Sequence, residues 1–280
     1  MALVAVLWIV AALSIMATGL TYTVRQQIQV VGMVRDQASG QAIGEGAAAL
    51  VLQDMLAHSE QRVTGVASTQ VSYGGAEVTV DVAPLNGWIP LNGAGEPLLT
   101  ALLATAGGLD QGQAQALAAR LIEWRDGRPE IDPTSPGGAS AQSRRFEATE
   151  DLLLVPGIDY ALYARIAPLV SADVIGGQVN PQAAPAEVLA VLAQGDAGLV
   201  GQFMAQRTSG PGADTSGFNG AFLGSGGGGA NIYRLRVRVP LEAGKILLLT
   251  RDVALGAAYS RTAPWVVLRA DRQIVSASAG

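Results

Sequence analysis

The first 24 residues, MALVAVLWIVAALSIMATGLTYTV, carry no charge, and the first ionised side chain is Arg25. A helix of that length rises about 36 Å, more than a hydrocarbon core of roughly 30 Å. The run therefore predicts a retained transmembrane helix over 1–24. A cleaved secretory signal fits less well. It wants a basic n-region, a shorter apolar stretch and an A-x-A-like site, whereas here helix-compatible sequence runs on unbroken. Beyond Arg25 the pattern changes. Ile43, Ala47, Leu50, Val51 and Met55 recur at helical spacing without proline, predicting an amphipathic continuation over 25–63. Gly32, Gly40, Gly44 and Gly46 are poor helix formers within it. Gly40 and Gly44 also form a G-x-x-x-G spacing, which admits close approach of another backbone, from a partner or from the protein's own sheet.

Alternation of period two begins next, over 64–95. In TQVSYGGAEVTVDVA, Gly74-Gly75 supplies a hairpin turn, and Val78, Val80 and Val82 alternate with Glu77, Thr79 and Asp81. Strand patterns return over 232–270 in NIYRLRVRVPL, KILLLTRDVAL and APWVVLRA. Tyr233, Leu235, Val237 and Val239 make one apolar face there, and Arg234, Arg236 and Arg238 predict a solvated outer face. The last ten residues, 271–280, read as a small polar tail without regular structure. Between the two strand blocks, 96–207 carries helical periods in EPLLTALLATAG, QGQAQALAARLIEWRDG, FEATEDLLLV, DYALYARIAPLV and APAEVLAVLAQ. Residues 208–231, rich in Gly and Ser, read as a flexible connector back to the strands. The expectation is an α+β fold: a long N-terminal helix on an antiparallel sheet, with an all-helical domain inserted between strands.

Composition narrows the chemistry. The net charge of −5 argues against a nucleic-acid partner. There is no Cys, so disulfides and thiolate metal sites are excluded. His58 is the only imidazole, and no G-x-S-x-G elbow accompanies it. We expect no enzyme and no catalytic residue. The GSGGGG run neither follows a strand nor opens a helix, so it is no phosphate-binding loop. In IEWRDGRPEID, Glu123, Asp126, Glu130 and Asp132 fall close together, and a hard cation such as calcium needs six to eight oxygens of this kind. The spacing is not that of an EF-hand, and an acidic solvated loop paired with Arg125 and Arg128 accounts for it better. VPGI, between two helical runs, has the form of a helix-hairpin-helix turn, but Asp159 precedes the second helix and disfavours phosphate. That turn is expected to join two packed helices, with Leu152, Leu153 and Val155 facing Tyr160, Tyr163 and Ile166.

Several of these segments, taken in order, resemble one family. ALVAVLWIVAAL, GWIPLN, LIEWRDG, FEATEDLLLVPGIDYALYARIAPLV and VNPQAAPAEVLAVL together look like the type II secretion minor pseudopilin K family, over nearly the whole chain. The resemblance implies a pilin-like fold with an inserted helical domain. It also implies a single-pass inner-membrane protein with its head in the periplasm, sited at the tip of the pseudopilus. The implied partners are minor pseudopilins I and J, other pseudopilins through the N-terminal helix, and a prepilin peptidase acting on a leader upstream. Related minor pilins of type IV pili or competence systems, and single-pass periplasmic binding domains, are the alternative readings.

Pilin-like subunits generally carry Glu at mature position 5. If Met1 is the mature first residue, Ala5 stands there, as suits a subunit with no neighbour above it. A basic leader ending in Gly is then expected upstream of Met1. Gln182 and Ala183 replace the more usual Asn and Thr before Pro185, which removes a helix cap. The family's helical domain binds calcium, and by that resemblance Asp126 and Asp132 are the ligand candidates, although the loop EIDPTSPGGASAQSRR is short.

Overall fold

In a computed structural model the described residues are 2–58, 63–127, 145–174, 176–210, 212–224, 231–256 and 262–276; of the side chains of 2–5, 9–30 and 243 nothing is said. Helix α1 spans Ala2–Ala57, about 84 Å at 1.5 Å per residue. It packs on a five-stranded antiparallel sheet of order β1-β2-β5-β6-β7. The strands are β1 (Ala67–Tyr73), β2 (Ala76–Pro84), β5 (Ile232–Leu241), β6 (Lys245–Leu255) and β7 (Trp265–Ser276). Gly74 and Gly75 take φ of 60° and 82°, the left-handed pair that a two-residue hairpin needs, and so bring Tyr73 opposite Ala76.

The apolar face of the sheet is the one expected. Val78, Val80 and Val82 of β2, with Tyr233, Leu235, Val237 and Val239 of β5, form one core with Ala47 and Leu52 of α1. The helical glycines serve this contact. A Cβ on Gly40 would lie 2.6 Å from Leu241 Cδ2, and one on Gly44 would lie 2.6 Å from Leu249 Cδ1 and 2.9 Å from Val239 Cγ2. The G-x-x-x-G spacing therefore seats α1 on its own sheet. Leu50, placed on the buried stripe by its spacing, is exposed, and Leu52 takes its place.

The arginine stripe on the other face departs from expectation. Only Arg238 is well exposed; Arg234 is buried, and Arg236 is partly covered. The cause is a second layer. Between β2 and β5 in the chain lie α2 (Glu96–Thr105), α3 (Gln111–Asp126), α4 (Tyr160–Ile166), α5 (Ala186–Leu192) and α6 (Ala197–Ser209). These helices surround a separate apolar core that includes Leu99, Leu102, Leu121, Leu152, Ile166, Leu189 and Phe203. A small parallel pair, β3 (Ile89–Pro90) with β4 (Val170–Ser171), ties the region together. Where it meets the sheet, Trp88 and Val174 pack on Ala83, Ile232 and Ala254.

Three further segments differ from the pattern reading. FEATEDLLLV forms a 3-10 turn at Thr149–Leu154, in which Leu152 is buried but Leu153 is exposed, as is Tyr160 across the turn. The stretch expected as a flexible connector is packed where it is described: Phe218 and Phe222 are buried, and Phe218 meets Phe203 edge-on at 5.2 Å. Finally, β7 continues through Ser276, pairing Ile274 with Leu247 and Ser276 with Lys245. Ladder hydrogen bonds to β6 order a segment whose composition reads as tail.

Candidate functional site

The acidic stretch ends α3. Asp126 is its last residue, and its carboxylate accepts from Arg125, Nε to Oδ1 at 2.8 Å and Nη2 to Oδ2 at 3.4 Å. That hydrogen bond, aided by the guanidinium charge, holds Asp126 below the usual carboxylate range. Arg125 is itself anchored, donating Nη1 to the carbonyls of Ala94 at 2.9 Å and Leu91 at 3.3 Å. That guanidinium competes with any cation for the Asp126 oxygens, and among the described residues no cluster of three or more His, Cys, Asp or Glu comes together to hold a metal. Glu130, Asp132 and Met1 lie outside the described residues, and Ala5 lies in α1 with its side chain outside them. His58 is exposed at the end of α1, its Nδ1 3.0 Å from Asp54 Oδ1.

Two hairpins in the helical region share a Gly-apolar-Asp form, Gly108-Leu109-Asp110 and Gly157-Ile158-Asp159. The glycines take φ of 68° and 103°, and each Asp caps the next helix. Asp110 Oδ1 accepts from Gln113 N at 2.9 Å, and Asp159 Oδ1 accepts from Leu162 N at 2.7 Å. The N–H groups that a phosphate would use already point at fixed carboxylates. This chemistry suits helix packing, not a nucleic-acid backbone.

The junction between sheet and helices carries the strongest electrostatics. Arg234 and Asp252 are both buried and form a two-pronged pair, Nε to Oδ1 and Nη2 to Oδ2, each at 2.7 Å. The Arg234 guanidinium lies 4.5 Å from the Trp88 ring centroid, and Trp88 Nε1 donates to Pro168 O at 3.0 Å. Asp173 is partly buried nearby. Burial raises its pKa first, and the Asp252 charge raises it further, against the opposing pull of Arg234 and Arg269. Arg269 of β7 reaches the helical region, bonding Thr149 Oγ1 and, at 2.9 Å, Glu150 Oε1. Sequence reading passed over this junction. Its one legible signal is register: once the β5–β6 turn is placed at 241–245, Arg234 falls opposite Asp252.

At the other end of the molecule α1 leaves the sheet. Its Asp36 accepts from Glu242 N at 3.2 Å, and Gly40 lies over Leu241. Before that point Val31, Met33 and Val34 are exposed, as are Val6, Leu7 and Trp8 further up. Among the described residues no helix is long and apolar enough to cross a membrane.

Residues 90–173, from β3 through β4, match the model of a family described as Type II secretion system (T2SS), protein K. Over this stretch the chain is similar to protein K. The match supports the resemblance to minor pseudopilin K drawn from the sequence. One solved structure similar to the chain is the crystal structure of the GspK-GspI-GspJ complex from the type 2 secretion system of enterotoxigenic Escherichia coli. That similarity covers 89% of this chain and 98% of the matched one, at 17% identity and a TM-score of 0.49. No curated protein matches the chain.

Proposed function

We propose that this chain is a minor pseudopilin K acting at the tip of a type II secretion pseudopilus, where it starts and caps the filament. The observation that carries the reading is the protein K match over 90–173, set within a chain whose α1 projects from its sheet with exposed apolar side chains. Exposed Val31, Met33 and Val34 on a projecting helix require burial, either in lipid or among other helices. The uncharged run 1–24 supplies the membrane anchor first and the filament core afterwards. The head then lies in the periplasm, and the role is assembly, not catalysis. The large helical region acts as an inserted domain, too bulky to permit a subunit above it. If Met1 is the mature first residue, Ala5 agrees, because a tip subunit has no amine above it to neutralise a buried carboxylate.

Minor pseudopilins I and J are the proposed partners. Residues 25–280, exported as a soluble periplasmic fragment together with I and J, should co-purify with them in one complex. Failure to bind either, under conditions in which I and J bind each other, would overturn the assignment.

A further inference from the structure

A cleft of about 570 Å³ opens on the helical region between α2, α3, the end of α5 and the 3-10 turn Gly220–Phe222. That volume lies within the range of small-ligand sites. Its polar lining is Glu96, the Thr100 and Thr105 hydroxyls, and the amides of Gln111, Gln115, Gln194 and Asn219, with no Lys, Arg or His among them. One carboxylate without a cation repels phosphates and other anions. Amides both donate and accept, as a peptide main chain does. The aromatic residue at the cleft, Phe222, is buried, so no ring face is offered for stacking on a sugar. Gln115 Nε2 donates to Glu96 Oε1 at 3.4 Å, which leaves Glu96 further lone pairs for a ligand.

A second observation concerns Gln194. Its φ is 52°, and every other residue with positive φ among the described residues is a glycine. The two sister hairpins place Gly108 and Gly157 in that backbone region. The end of α5 is closed by backbone bonds, Gln194 N to Val191 O at 3.0 Å and Gly195 N to Ala190 O at 2.8 Å. Glycine could make the same bonds without the steric conflict of a left-handed Cβ. The turn therefore has no need of the glutamine side chain, and that side chain lines the cleft.

We infer that this cleft binds an extended peptide segment bearing a basic side chain, with Glu96 receiving the cation and the Gln amides pairing with the main chain, joined by Asn219 Nδ2 as a donor because Asn219 Oδ1 already accepts from Ala221 N at 3.0 Å. The site stands apart from the filament role and does not depend on it. The test pans a displayed random heptapeptide library against the full-length chain in detergent micelles and measures the selected peptides by fluorescence polarisation. Enriched sequences should share a Lys or Arg. Their affinity should fall at least about tenfold in Glu96→Gln, as expected for loss of a charge-assisted hydrogen bond. In Gln194→Gly it should fall several-fold, although that variant should melt at a higher temperature. No enrichment, enrichment without a basic residue, or unchanged affinity in a thermally stabilised Gln194→Gly would overturn the proposal. Binding of chitotetraose without any peptide enrichment would reassign the cleft to carbohydrate and overturn it equally.

Discussion

Asp173 and the Arg234–Asp252 pair show how single charges control the seam between sheet and helices. Asp173 has its pKa raised in the folded state by burial and by Asp252, so the native protein holds that proton more tightly than the unfolded chain. The resulting destabilisation is fully present above the folded pKa and vanishes below the unfolded value near 3.8. Asp173→Asn, which mimics the protonated form, should therefore melt higher than wild type at neutral pH. The gap should close as the pH falls through the raised pKa, a comparison that paired thermal melts make directly. Arg234 and Asp252 behave differently, because each is buried and neutralises the other. Asp252→Ala should destabilise by about 3–5 kcal/mol in denaturant titration, since it strands a buried guanidinium. The double change Arg234→Met with Asp252→Leu should recover most of that loss, because two apolar groups leave no charge without solvent.

Among the elements, α1 and β7 owe their limits to what they pack against. α1 contains glycines that weaken an isolated helix, yet Gly40 and Gly44 are where Leu241, Val239 and Leu249 come closest. Gly44→Leu should raise helical propensity and still lower stability by about 1–3 kcal/mol, as overpacking against β5 and β6 exceeds the propensity gain. An unchanged melting temperature in that variant would mean that the helix shifts freely on the sheet. β7 is an edge strand of 12 residues, and its register against β6 skips Leu268 between Val267 and Arg269. A bulge with Arg269, Asp271 and Arg272 beside it protects such an edge from chance strand pairing.

For the whole molecule, the projecting helix and the helical region make separate claims on assembly. On the tip reading proposed above, Ala5→Glu should lower secretion of a reporter substrate, because the subunit would carry an unpaired carboxylate into lipid; secretion at the wild-type level would make the missing glutamate incidental. Calcium is approached through stability. Because Arg125 occupies the Asp126 carboxylate, any shift in melting temperature on adding chelator should be the same in Asp126→Asn as in wild type. A shift that disappears in the variant would make Asp126 a ligand after all.

Much of this architecture was legible from residue order. The uncharged start, the Gly74-Gly75 hairpin, the alternating strands and the helical periods of 96–126 depend on local periodicity and turn chemistry, which act over a few residues. Register is also local once a turn is known, and so Arg234 opposite Asp252 was within reach. Other features are settled by contacts between distant segments. The arginine face of β5 reads as solvated until Trp88 and the helical region cover it. The glycines of α1 read as weak points until the sheet comes against them. The end of β7 reads as tail until β6 supplies its hydrogen bonds. The cleft beside Gln194 gathers residues more than a hundred positions apart, from Glu96 to Phe222, and no window along the chain contains it. Periodicity reports which side of an element is apolar; only tertiary packing decides what lies against each side, because burial is a property of both partners in a contact.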